Sequence, residues 1–397
     1  MYVRGFRNLF SFKGYVIEKI DIDPNMATVT LRLDKRHTVR CPECGSKMGR
    51  NRAVRQSAWD MPLGTALVVS LEYEAVQGKC SSCGKYSTVH PEGIDGHSRA
   101  TNRLIGFVSS LCRFMPLSRL NLFVPVPKST AYRWDKRHLS DTLPEPNLDG
   151  IRILLVDEKS VRKGHGYVTV VINGETGELL HMAEGKKKAS LQSFFDKLTA
   201  ERKSSIVAVA MDRGGAYYEV VKANLPGVDV VYDKFHLLAN YNAVIDEVRR
   251  TEWRKAKAEE KDVIKGQRYN LFRNSENLGG ERKRSLSDLL KINGNINAVY
   301  VLKDSLRKVY DYERGGWAKK ALEEFISMAK ESGIEPLTRF ARGLSRNVQE
   351  VVNYCKHRIT TGRLEGFNNT ISRIIHRACG VRDMDYLFLK LRQESLA

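Results

Sequence analysis

The sequence predicts a multidomain α/β protein. Three observations carry that prediction. The chain has 397 residues, too many for one ordinary core. Four of its seven cysteines fall in two close pairs ahead of residue 90. The apolar pattern is helical between about 100 and 140, then changes near 150 to short buried-type strands alternating with helices. Hydrophobic residues make up 42%, enough to bury cores.

Charge narrows the partner. Lys plus Arg number 66 against 46 Asp plus Glu. A chain this basic meets a polyanion, with nucleic acid the first candidate. The excess is uneven: residues 1–150 carry 22 basic and 14 acidic residues, while residues 151–240 carry 13 and 11. The least basic segment is therefore where carboxylates with a chemical role are sought. No run approaches the roughly 18–20 apolar residues of a membrane span, and the N-terminus is too polar for a signal segment. A cytoplasmic, thiol-reducing location is expected, and there paired cysteines favour metal over disulfides.

The elements follow in order. YVIEKIDI and ATVTLRL are strands joined by an Asp-Pro-Asn turn. Cys41-x-x-Cys44 and Cys80-x-x-Cys83 are two knuckles, each followed by glycine. Two residues between thiolates let one turn aim both sulfurs at one ion, and two such turns complete a tetrahedral site suited to one structural Zn²⁺. His90 is a spare ligand at best. Cys112, Cys355 and Cys379 lie in helical patterns and are expected to pack. Residues 102–139 fit a helix-turn-helix. Its third helix opens with Lys128, Ser129, Thr130, Tyr132 and Arg133, placed to enter a DNA groove, while Trp134 and Leu139 face the core. TLPEPNLDG reads as a linker.

Beyond it, IRILLVD, GYVTVVING and ELLHMAEG are three consecutive strands. SLQSFFDKLTAE is a helix, SIVAVAMD a strand, AYYEVVKANLP a helix and VDVVYD a fifth strand. That order is the order of a ribonuclease H-like core, in which the first and fourth strands are neighbours. Asp157 ends the first and Asp212 the fourth. Two carboxylates brought together there are costly unless a cation lies between them. Residues from about 240 to 350 form an α-helical insertion with 23 basic and 17 acidic residues. It also carries Trp253, Tyr269, Phe272 and Trp317, expected mostly in its core. Glu365 opens the amphipathic helix LEGFNNTISRIIHRA, with Asn368, Asn369 and Ser372 on the same face.

With these segments in hand, the chain resembles the ISL-three family of insertion-sequence transposases over nearly its whole length. The resemblance is carried by CPECG, KCSSCGKY, LLVDEKSVRKGHGYVTVV, AVAMDRGGAYYEVV, VVYDKFHLL and TTGRLEGFNNTISRIIHRACGVRD. It implies a bacterial DDE enzyme that cuts and joins DNA at transposon terminal inverted repeats. Asp157, Asp212 and Glu365 would be its catalytic carboxylates. Mg²⁺ or Mn²⁺ would be its cofactor, two ions per site. The DKFH segment resembles an Asp-x-x-His signature and gives Asp233 and His236 as catalytic support. Where the family pattern has Asp after GYVTVV, this chain has Asn173, at a turn. Double-stranded DNA, transposon ends and target, is the expected partner, bound as a homodimer or higher oligomer and without a membrane.

The expected domains are a zinc ribbon at 1–98, a helix-turn-helix at 99–145, the first part of the core at 146–240, the insertion at 241–350 and the rest of the core at 351–397. Rival readings are a domesticated DNA-binding regulator without catalysis and a ribonuclease H-type nuclease.

Overall fold

A computed structural model describes residues 10–63, 67–162, 166–213, 215–273, 275–359, 361–378 and 380–396. Cys379 lies outside the described residues. The architecture is mixed α/β in two compact units, Met1–Pro144 with Ile374–Gln393, and Glu145–Arg373 with Glu394–Ala397. The division falls within the Pro- and Gly-containing stretch that follows the first helices.

The first unit opens with β1 (Tyr15–Asp23), β2 (Met26–Leu33), β3 (Arg52–Leu63), β4 (Leu67–Lys79), β5 (Tyr86–Val89), β6 (Ile94–Asp95) and β7 (Ala100–Thr101). They form one sheet in the order β1-β2-β4-β3-β7-β6, with β5 also paired to β4. Its strands alternate because one face is covered: Ala27, Val29 and Leu31 of β2 and Leu71, Tyr73 and Ala75 of β4 are buried, while Glu72 and Glu74 are exposed. Next come α1 (Asn102–Phe114), a 3₁₀ helix at Leu117–Leu122, and α2 (Lys128–Thr142). Thr101 caps α1, its side chain accepting from the Leu104 amide. The Thr101 hydroxyl also donates to buried Asp60 at 2.6 Å, and Arg103 adds a guanidinium to the same carboxylate. Trp134 and Leu139 are buried, as the helical spacing requires.

The second unit holds β8 (Ile153–Arg162), β9 (Gly166–Asn173), β10 (Leu179–Glu184), β11 (Ala208–Met211) and β12 (Asp229–Tyr232). The sheet order is β10-β9-β8-β11-β12. β8, β9 and β10 pair antiparallel, whereas β8–β11 and β11–β12 are parallel. Leu154, Leu155 and Val156 are all buried, as are all four residues of β11, because both faces of the sheet are covered. Asn173 accepts from the amides of Glu175 (2.9 Å) and Thr176 (3.3 Å) and so shapes the β9–β10 turn.

The helices of this unit are α3 (Lys188–Phe195), α4 (Ala200–Ser205), α5 (Gly215–Asn224), α6 (Lys234–Lys255), α7 (Ala258–Ile264), α8 (Arg268–Phe272), α9 (Gly280–Ile292), α10 (Gly294–Lys308), α11 (Gly315–Glu331), α12 (Glu335–Leu344) and α13 (Val348–His357). They share one continuous apolar core with the sheet, from Ile151 to Cys355. α13 lies on β12, and buried Asn353 donates to the Val230 carbonyl at 2.9 Å. The last helices are α14 (Gly362–Arg377) and α15 (Met384–Ser395). α15 packs within the first unit, where Tyr386 and Lys390 both donate to Asp135 of α2 (2.5 and 3.2 Å). No helix among the described residues is long and apolar enough to cross a membrane.

Candidate metal centres and the cleft at the sheet edge

Two groups among the described residues could hold a metal ion: Cys41, Cys44, Cys80 and Cys83, and Asp212, Asp233 and His236.

The first group is built by two turns of the same shape. The Cys41 amide donates to the Ser46 carbonyl and the Gly45 amide to the Cys41 carbonyl, at 2.8 and 2.9 Å. The Cys80 and Gly84 amides make the matching bonds to Lys85 and Cys80, again 2.8 and 2.9 Å. Gly45 and Gly84 have φ of +70° and +72°, the left-handed conformation that explains a glycine after each pair. The sulfurs of Cys41 and Cys83 lie 3.7 Å apart, and those of Cys44 and Cys80 3.6 Å. A tetrahedron with metal–sulfur bonds of ~2.3 Å has edges of about 3.8 Å, so the donor set fits zinc. The Ser46 amide and hydroxyl favour the Cys44 thiolate and bring its pKa down to about 6. His90 stands apart from this cluster, with Nδ1 3.0 Å from the Tyr73 hydroxyl. Cys112 and Cys355 are buried, as their helical placement suggested.

The second group sits at the carboxyl end of the parallel strands. Asp212 directly follows β11. Asp157 is not at the end of its strand, as the sequence suggested, because β8 runs on to Arg162. The pairing with β11 nevertheless stops at Val156–Met211, so Asp157 is the first residue beyond it. Beyond that point β8 has its partner β9 on one side only, and Asp157 and Asp212 open onto one cleft with Lys186, Arg213, Tyr217 and His236. Glu158 lines the same cleft, although strand alternation alone would turn it away.

Charge is crowded there. Burial and the charge of Asp157 lift Asp212 to a pKa of about 6. Burial lifts Asp157 as well, against a hydrogen bond from Asn368 Nδ2 to its Oδ2 at 2.6 Å. His236 Nδ1 lies 3.0 Å from Asp212 Oδ2. Asp233 caps α6 by accepting from the Phe235 amide (2.9 Å) and also accepts from the Thr361 hydroxyl (3.0 Å). Like-charged carboxylates facing an imidazole are what a divalent cation would satisfy.

Glu365 does not join this group. It lies in the first turn of α14, exposed, and does not line the cleft. Its helix is nonetheless fastened to Asp157 through Asn368. Sequence reasoning missed Lys186, Arg213 and Tyr217. Only the position of Arg213 next to Asp212 hinted at any of them, because the other two lie on segments that topology alone brings round.

At the start of α2, Lys128, Ser129 and Arg133 are exposed, and Thr130 accepts from Arg133 at 3.4 Å. Tyr132 is committed elsewhere. Its hydroxyl donates to Asp383, and its ring meets Tyr386 edge-on at 5.0 Å.

Comparison with known proteins gives this arrangement its class. A family model described as "Transposase", for DDE transposases of the ISL3 group, matches residues 154–391. The transposase for insertion sequence element IS1001 of Bordetella parapertussis is 30% identical over 391 residues, covering 97% of this chain and 96% of that protein. The transposase for insertion sequence element IS1557 of Mycobacterium tuberculosis is 29% identical over 419 residues, covering 96% and 92%. The class is that of transposases. More narrowly, the chain belongs to the ISL3 family of insertion-sequence transposases.

Proposed function

We propose that this chain is a DDE transposase that binds the terminal inverted repeats of an insertion sequence and catalyses DNA strand cleavage and strand transfer. One observation carries the catalytic reading: Asp157 and Asp212 meet where the parallel pairing of β8 with β11 stops, in an open cleft whose crowded charge calls for a cation. The strand order, three antiparallel and two parallel, supports a ribonuclease H-like core. Asp157 and Asp212 would hold Mg²⁺ or Mn²⁺, with Asp233 and His236 beside them and Glu365 as the third carboxylate. Residues three apart on a helix have Cβ atoms roughly 5–6 Å apart, so Asn368 on Asp157 keeps Glu365 about one turn away. Such ions, two per site, would activate the attacking oxygen and stabilise the leaving one.

The chain's own residues have separate tasks. Lys186 and Arg213 offer positive charge to the scissile phosphate. His236 orients Asp212, and Asn368 orients Asp157. On the first unit, the four thiolates hold structural zinc. The two helices and the 3₁₀ turn form a helix-turn-helix in which Lys128, Ser129 and Arg133 contact double-stranded DNA. Thr130, which accepts from Arg133, belongs to the same contact, and Tyr132 ties the helix to Asp383 and Tyr386. The modules we assign are the ribbon (1–98), the helix-turn-helix (99–145), the core (146–240 and 351–397) and the insertion (241–350), acting as a homodimer or higher oligomer on DNA.

The position of Glu365 outside the cleft lining favours the second reading, a DNA-binding regulator without catalysis. The deciding experiment incubates the purified protein with labelled insertion-sequence ends and Mg²⁺ or Mn²⁺ and maps the 3′ ends. Discrete cleavage at the element boundary supports the transposase. Specific binding of the ends without any cleavage in either metal supports the regulator.

A further inference from the structure

A third feature lies in the helical part of the second unit, on α6 and α8. Asp246 of α6 is 7% exposed. Its carboxylate takes three guanidinium groups, Arg249 at 2.9 Å, Arg250 at 3.5 Å and Arg268 at 3.5 Å. One buried negative charge thus fixes three positive ones and leaves the group strongly cationic. Arg249 is turned inward, while Arg250 and Arg268 remain 58% and 51% exposed. The Arg268 guanidinium also lies over the rings of Phe272 and Tyr269, 5.5 and 5.9 Å from their centroids.

The interleaved aromatics of the insertion were expected mostly in the core, but Trp253, Trp317 and Tyr269 are exposed, Tyr269 the most at 69%. Phe272 meets it edge-on at 6.4 Å. The exposure does not come from a loose segment. At the other end of α8, the buried Lys303 amine donates to the carbonyls of Leu271 (2.8 Å) and Arg273 (2.6 Å). Residues 249–273 carry nine basic and four acidic residues. A ring held outward between two anchors, beside arginines held by a buried acid, is a preorganised surface for a phosphate chain with an accessible base.

We propose that Arg250, Arg268 and Tyr269 form a DNA contact for unpaired nucleotides, the two guanidiniums taking backbone phosphates and the tyrosine ring stacking on a base. Inside duplex DNA each base face is covered by its stacked neighbour, whereas a single-stranded tail exposes one at every nucleotide, so the tyrosine discriminates between the two forms. The proposal rests on DNA as the substrate but is independent of the carboxylates that cut it.

The test uses the full chain in EDTA, which prevents cleavage, and fluorescence anisotropy on two labelled DNAs. One is a blunt duplex and the other the same duplex with a short single-stranded tail. Tyr269→Ala is expected to weaken binding of the tailed DNA about tenfold and leave the blunt duplex unchanged. Tyr269→Phe, which keeps the ring, should bind like the wild type. Arg250→Ala with Arg268→Ala should flatten the salt dependence on tailed DNA by about one to two in slope. 2-Aminopurine in the tail should be quenched on binding the wild type and not Tyr269→Ala. Equal affinities of Tyr269→Ala and wild type for both DNAs overturn the proposal. An equal loss on both also overturns it, because the contact is then to duplex backbone or is structural. If the wild type binds neither DNA, the reading of DNA as substrate fails and takes this proposal with it.

Discussion

The four cysteines come from two turns of the same geometry, each closed by its own backbone hydrogen bonds. The cleft residues come from separate places: Asp157 within β8, Asp212 after β11, Asp233 and His236 at the start of α6. The two groups load the fold in opposite senses. The thiolate site offers four donors, all from protein, and an ion held there would stabilise the unit around it. The carboxylate site is open and gathers like charge in a half-buried place, so it costs the fold until something cationic enters. A structural site can be made from local turns because nothing else must fit there. A catalytic site needs free positions for substrate, so its donors have to reach it from several elements.

The largest effect expected from this contrast is on the cysteines. Cys44→Ser removes one of four sulfur ligands, and a structural zinc site is worth on the order of 10 kcal/mol of local folding. Metal analysis should show one zinc per chain in the wild type and none in the variant. Limited proteolysis should degrade the first unit and spare the second. Zinc-free wild-type protein with an intact first unit would break the contrast at once.

Next come the carboxylates. Asp157→Asn, Asp212→Asn and Glu365→Gln each remove one charge and little volume. Each is expected to lower cleavage of labelled ends by at least about a thousandfold while end binding persists. Glu365→Gln is the sharpest of the three, because Glu365, unlike Asp157 and Asp212, does not line the cleft. Cleavage by Glu365→Gln at the wild-type rate would remove it from the site.

The same contrast explains what was legible in the sequence. The cysteine site is written in spacing and in Gly45 and Gly84, whose positive φ is a local demand. Asp157 and Asp212 were legible because each directly follows a run of buried apolar residues, which is a local pattern too. The length of β8 was not, since the hairpin partner β9 carries it on past Asp157 where the apolar run stops. Lys186 and Tyr217 enter the cleft by topology, and no local pattern marks them. Glu365 was picked out by family resemblance alone, as one exposed glutamate on a helix. The placement of α15 against α2, through Asp135, Tyr386 and Lys390, could not be read from the chain's order. Buried polar networks join positions 251 and 255 residues apart without any periodicity.

A smaller effect is expected from Asn368. Its Nδ2 donates to Asp157, so it orients a carboxylate without itself carrying charge. Partners of this kind change activity or metal affinity by about 10–100-fold. Asn368→Ala should lower cleavage by that factor and raise the Mg²⁺ concentration for half-maximal rate, with end binding unaltered. An unchanged metal requirement would make the hydrogen bond merely structural.

The smallest effect is the most direct measure of the opposite loading. Asp212 faces Asp157 and Glu158 from β8 and Asp233 from the start of α6, opposed by His236. Its pKa in the fold is about 6, above the ordinary carboxylate value, so the folded state holds this proton more tightly than the unfolded chain does. The cost of ionising it is therefore complete above about pH 6 and fades as the pH falls toward 4. The side chain is 37% exposed, so solvent screening limits the cost to about 1 kcal/mol. In EDTA at pH 7.5, Asp212→Asn should accordingly melt about 2–4 °C above the wild type. Near pH 4 the difference should vanish, apart from the lost contact with His236. Adding Mg²⁺ at pH 7.5 should raise the wild-type Tm and leave that of Asp212→Asn almost unmoved. A metal-free variant less stable than the wild type at pH 7.5 would mean that Asp212 serves the fold, and the contrast between the two sites would be lost.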